Sequence, residues 1–340
     1  MLRRDDPPLQ AAWATRFAAC VQRDGTPPLQ SLIQAGLADL PQPGSGATLA
    51  RWRALAAVAE HDLSLVKLFE GHTDALAILQ ESGDAAAWAM AQPGTRWGTW
   101  CAEPPQARLQ IDAGGRLDGT KAWCSGAAEV THALVSCWNA EGQACLAAVA
   151  LSQPGVQVTA EGWRAVGMAR TRSVDVRFSG AVARPVGPPA FYLARPGFWQ
   201  GGAGIAACWF GGARGLAQAV LAAAQRRDDA FLHMHLGAID SAMAAAADLL
   251  GAAARWIDAH PVDDAMRVAM RARLAVEAAA TTVIDHAGRA LGAGPLCRDA
   301  ALAQRIADLP VFLRQSHAER DMAALGKHLA ESTAAAPWML

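Results

Sequence analysis

From Leu9 to about Ala91 apolar side chains recur every three or four residues, the spacing that stacks them along one side of an α-helix. Pro27-Pro28 and the Pro41–Gly46 stretch interrupt the pattern. The clearest segment, Asp62 to Leu79, puts Leu65, Leu68, Phe69, Leu76 and Leu79 on one buried stripe and offers Asp62 as its N-cap. Near Arg96 the period changes to two. Ser173 to Phe178 alternates polar and apolar side chains, as a half-buried strand requires. Leu109–Ile111, Thr120–Cys124, Ala133–Trp138, Cys145–Leu151 and Val156–Thr159 supply further strands, parted by turn signals at Gly114-Gly115, Glu141-Gly142 and Pro154-Gly155. Pro185 to Pro189 and the glycines after it break the alternation, so Ser179 to Gly204 reads as a connection out of the sheet. Helical periodicity then returns in Gly211–Arg227, His235–His260, Asp263–Ala293 and Ala300–Thr333, with enough alanine for four antiparallel helices to pack closely.

The pattern therefore predicts an α+β chain in three units. Residues 1–95 form a helical domain, 96–196 a small antiparallel β-barrel or sandwich, and 197–340 a four-helix bundle.

Composition narrows the function. With 30 Lys plus Arg against 31 Asp plus Glu the net charge is -1, which gives no electrostatic reason to expect nucleic acid as a partner. Two acids and two prolines within Met1 to Pro8 do not suit a targeting peptide, and Ala-rich stretches such as Ser241–Ala254 are short and carry Asp248. The expectation is a cytoplasmic chain without membrane insertion. The seven cysteines form no CxxC pair and fall mainly in apolar segments, so free thiols are expected rather than a metal or disulfide framework. His233 and His235 would point to different sides of a helix and could not share a zinc ion.

Three local motifs go further. Trp100-Cys101-Ala102-Glu103-Pro104, then Leu117 to Gly126 with Lys121, Trp123 and Ser125, then Glu161-Gly162-Trp163-Arg164 through Gly167-Met168 to Phe178, follow one another in an order that resembles the acyl-CoA dehydrogenase superfamily. Glu70-Gly71-His72 and the Gly211–Gly215 start of the bundle extend the resemblance over most of the chain.

The resemblance implies FAD, lying between the β-domain and the bundle. It places Trp100, Cys101 and Ala102 on one flavin-facing strand, Trp123 beside the ring and Ser125 at its N5 edge. Gly292 and Gly294 would stand for the glycine loop that reaches the cofactor, although an ordinary helix-ending turn accounts for them as well. Similarly, Trp123 could be a core residue and Ser125 a turn hydroxyl. The implied partners are a small-molecule substrate such as an acyl-CoA, an electron-accepting flavoprotein, and further copies of the chain in a homodimer or homotetramer.

Departures matter too. Ala102 stands where the family has threonine, and the Gly-Ser-Asp expected after Pro104 is absent. The aromatic-Glu-Gly-Thr turn that carries the catalytic glutamate is missing from Arg305–Lys327, where His317 and then Glu319 are the candidate bases. Histidine has an ordinary pKa of about 6.5, which suits the role, but a solvated polar face beside Arg320 and Asp321 explains His317 equally. Three functions remain open: dehydrogenation of an acyl thioester, a flavin monooxygenase or oxidase on the same fold, and a catalytically silent partner subunit.

Overall fold

The computed structural model describes residues 7–105 and 107–331. The first helices are α1 (Pro7–Asp24), α2 (Leu29–Gln34), α3 (Thr48–His61), α4 (Leu63–Ser82) and α5 (Ala85–Trp88). Asp62 caps α4 by accepting the Leu65 N–H at 2.8 Å, and Gly83 closes the helix at φ +66°.

Strands β1 (Trp97–Trp100), β2 (Leu109–Ile111), β3 (Arg116–Cys124), β4 (His132–Trp138), β5 (Ala144–Ala150), β6 (Val156–Val158) and β7 (Val174–Pro185) follow. The ladder β4-β5-β7-β3-β2 returns to β4 through the Gln110–Trp138 pair, so the sheet closes on itself as a small barrel. Not every pair is antiparallel as expected: β1 runs parallel to β4, Trp97 opposite His132. The single-pair contact of β2 with β4, Gln110 opposite Trp138, is parallel as well.

The chain then forms α6 (Phe191–Ala194), α7 (Gly197–Ala224), α8 (Ala230–Ala259), α9 (Met266–Leu291), α10 (Ala293–Arg298), α11 (Ala300–Leu313) and α12 (Glu319–Glu331). Helix α7 is central and packs on α3, α8, α9 and α11. One hydrophobic core runs from Leu32 and Phe69 through Val135 and Phe178 to Trp209, Val283 and Phe312.

Two local expectations need correction. Ser179–Gly204 is not all connection: β7 continues to Pro185, which is tolerated there because it ends the strand. The glycines after Pro196 belong to α7, where the lack of side chains lets Gly204 lie against Trp52 and Leu55. Nor is Ala300 onward a single helix. The chain breaks between α11 and α12, where Arg314 and Ser316 reach back to Glu277 on α9, Ser316 Oγ donating at 3.0 Å, and Ala318 adopts φ +27°. Thr333 lies outside the described residues.

Candidate functional site at the junction of the β-barrel and the helices

The end of β3 is irregular. Its pairing with β7 jumps from Lys121 to Cys124, a bulge that leaves Trp123 at φ +57° and turns its indole outward, 48% exposed. Trp123 is therefore not a core residue. Next to it Ser125 Oγ lies 2.8 Å from Ser173 Oγ, which lies 2.8 Å from Thr171 Oγ1. Thr171 donates to the Met168 carbonyl at 2.7 Å, and the Met168 N–H donates to Asp308 Oδ1 on α11. This chain ties the Ser125 hydroxyl to the bundle. Trp100 fixes the same strand end from the other side, its indole N–H donating to the Ser125 carbonyl at 3.0 Å.

Helix α4 approaches this edge directly. Leu68 packs against Gly126, whose φ of +69° and lack of side chain allow the contact. One turn earlier Ser64 is buried, and its hydroxyl has no partner among the described residues. A half-exposed indole and a held hydroxyl at a strand edge, with an unpaired buried hydroxyl one helical turn from Leu68, fit the edge and flank of a planar heteroaromatic cofactor such as a flavin.

Along α4, Lys67, Glu70, Asp74 and Glu81 fall within one side of the helix; the first three are half-buried and Glu81 is exposed. Lys67 Nζ is 3.2 Å from Glu70 Oε2, with side-chain exposures of only 20% and 13%. Burial raises the Glu70 carboxyl above its ordinary range against the pull of Lys67, with Asp74 pushing the same way. Burial also opposes the charge of Lys67, but Glu70 outweighs it and the ammonium is held above its usual value. Arg51 of α3, buried, is lowered by desolvation although Asp74 and Glu70 favour its charge. Around the far end of the stripe stand Arg195, paired with Glu81 at 2.7 Å, and Tyr192, whose phenol is raised by burial.

Cys101, just past β1, belongs to this cleft rather than to the cofactor strand. Its thiol is pushed up to about 11 by burial, so it stays protonated. Ala102 is exposed. Gly292 joins α9 to α10 at φ +67°, and Gly294 lies in the first turn of α10. They border a separate pocket of about 450 Å³ lined by Arg226, Arg227, Leu291, Pro295 and Asp299.

His317 lies in the break between α11 and α12, exposed, and no hydrogen bond or ion pair joins its ring to Trp123 or Ser125 among the described residues. Glu319 is exposed and stands 3.9 Å from Arg314. The segment nonetheless borders the cleft. Asp321 is 3.8 Å from Arg273, which donates to the Gly202 carbonyl at 2.8 Å and stacks over Trp209. Arg51, Lys67, Asp74 and Arg195 are not evident from local motifs. The one signal was the 67, 70, 74, 81 spacing of charges, which marks a single helical side but not whether that side faces water or protein.

No protein-family model and no curated protein sequence matches the chain. Solved structures do. KijD3 in complex with dTDP superposes with a TM-score of 0.80 at 22% identity, over 96% of this chain and 97% of that one. The methanesulfinate monooxygenase MsuC from Pseudomonas fluorescens gives 0.77 at 18%, over 97% of each. FMN-bound TdsC from Paenibacillus sp. A11-2 gives 0.79 at 17%, over 94% and 95%. The fold is acyl-CoA dehydrogenase-like: a helical layer, a small β-barrel and a helical bundle, continuous over nearly the whole chain.

Proposed function

We propose that this chain is a flavin-dependent monooxygenase that uses reduced FMN and acts on a small polar molecule. Of the functions left open by the sequence, dehydrogenation of an acyl thioester is the less well supported. The observation that carries the choice is the charged stripe of α4. An acyl chain laid into that cleft would lie against the Lys67–Glu70 pair, the buried Arg51 and the half-buried Asp74 and would offer the last two no partner, a cost that a polar substrate avoids. The likeness over the whole chain to a monooxygenase and to an FMN-bound structure supports the same reading and favours FMN over FAD.

When bound, reduced flavin supplies the two electrons needed to activate dioxygen. Ser125, aimed by Ser173 and Thr171, would hold the ring edge by a hydrogen bond, and Trp123 on its bulge would lie beside the ring. Leu68 and the barrel end exclude water from one side. His317 is proposed as the residue that moves a proton at the mouth of the cleft, beside the segment that Asp321 and Arg273 hold. The pocket beside Gly292 and Gly294 is proposed to serve a neighbouring copy in a homodimer or homotetramer.

The test is reconstitution of the purified protein with FMN and with FAD, followed by two assays. Oxygen uptake on adding reduced flavin, with no anaerobic bleaching of oxidised flavin by acyl-CoA, is the expected result. Bleaching by acyl-CoA would restore the dehydrogenase reading, and failure to hold either flavin would favour a silent subunit. His317→Ala is expected to lower turnover by about a hundredfold, with flavin content unchanged.

A further inference from the structure

Most charges in the cleft between α3, α4 and α7 are matched. Lys67 pairs with Glu70 and Arg195 with Glu81. Two are not. Arg51 is 4% exposed, yet its one hydrogen bond runs from Nη1 to the Pro41 carbonyl at 3.2 Å, and among the described residues no carboxylate reaches ion-pair distance. Asp74 accepts no hydrogen bond and joins no ion pair among the described residues, although its charge is felt by Arg51, Cys101 and Tyr192. Arg195, 6% exposed, adds a buried Nε–H with no acceptor.

On α7, Gly201 packs closely against Asp74, where a side chain would begin 3.0 Å from Oδ1, and nothing lies within 4 Å of the position that a side chain on Gly202 would take. Arg51 and Asp74 are thus left without a hydrogen-bonded counter-group, the first buried and the second half-buried. Leaving a desolvated charge such as that of Arg51 with a single hydrogen bond is costly, and a ligand that pairs it relieves that cost.

We infer that this cleft recognises a substrate bearing both an anionic group and an amino group, Arg51 receiving the anion and Asp74 the amine. The inference rests on the cleft being the substrate site of the proposed oxygenase. A ligand with only one of the two groups satisfies one of the charges and leaves the other unpaired, so the pair favours a ligand that carries both. Arg195 Nε–H is placed to add a second donor for the anion, and the paired Lys67 and Glu70 stand between this end and Ser125.

The probes are unbranched ω-amino carboxylates of increasing length, compared with the n-alkylamine and the n-alkyl carboxylate of equal length. Binding is measured calorimetrically on the full chain, first without flavin and again after FMN loading. One chain length, or two adjacent ones, should bind at least about tenfold more tightly than either single-charge analogue. Asp74→Asn should reduce that length to the affinity of the carboxylate, and Arg51→Gln to the affinity of the amine. Equal affinity for all three probe classes, or no saturable binding of any amino carboxylate to folded wild-type protein, overturns the inference. If Arg51→Gln does not fold, Arg51→Lys, which keeps the charge but not the fork, should retain selectivity at reduced affinity. Flavin binding is followed separately by its absorption. Loss of the oxygenase reading with selectivity intact, and the reverse, are therefore distinct results.

Discussion

Ser125 and Trp123 act through opposite kinds of freedom. The hydroxyl is fixed by a relay that ends on the buried Asp308, whereas the indole is half exposed on a bulge. Ser125→Ala removes one hydrogen bond of ordinary strength, so flavin affinity should fall by about 1 kcal/mol, roughly fivefold in Kd, as read by fluorescence titration with FMN. His72 sets a different kind of dependence. It is buried, its Nδ1 accepts the Trp97 N–H at 3.2 Å, and burial lowers its pKa from 6.5 to about 4. Between those values the unfolded chain binds the proton and the folded one does not. Stability is therefore fully present above pH 6.5 and falls as the pH drops toward about 4, by roughly 3 kcal/mol in all. Urea midpoints across that window should show the loss, and His72→Gln should flatten it. The strand end that carries Trp123 and Ser125, the two residues proposed to meet the flavin, was legible in the sequence. Asp74 and Arg51 were not, because a charge on a helix reads the same whether it meets water or the next helix.

At the scale of elements, α3 and α7 meet where Gly211 leaves no room for a side chain: a Cβ there would overlap the Ala56 carbonyl. Gly211→Ala should push the helices apart and cost about 1 to 3 kcal/mol, seen as a lower Tm with unchanged helix content by circular dichroism. The same need for closeness explains why α7 begins at Gly197 and not near Gly211. Glycine argues against a helix by local propensity, and the α3 and α4 surfaces overrule it. The barrel strands were easier to recognise because alternation is itself a burial pattern, whereas β1 depended on a family motif and its parallel pairing on β4 could not be read locally. The α11–α12 break was hidden for a related reason: Glu277, far away in sequence, supplies the contacts that end the helical run.

For the whole molecule, α7 and α8 are both long and apolar enough in composition to cross a bilayer, but they differ in burial. The most apolar window of α7 is 56% buried and that of α8 only 22%, with Phe231 and Met234 exposed on α8. We propose that another copy of the chain covers that face. Phe231→Glu with Met234→Lys should shift light scattering from dimer or tetramer to monomer at micromolar concentration, while a wild type that is already monomeric would refute the proposal. The sequence by itself determined the type and the approximate place of most helices and strands, though not the start of α7, the end of β7 or the α11–α12 break, because the period of the apolar residues is set by the geometry of each element. Through three short motifs it also specified the strand end that carries Trp123 and Ser125. Only the tertiary structure decided which charges of α4 face inward, that Arg51 and Asp74 stand opposed without pairing, and that the sheet closes into a barrel. Those outcomes depend on contacts between residues distant in the chain, which periodicity does not encode.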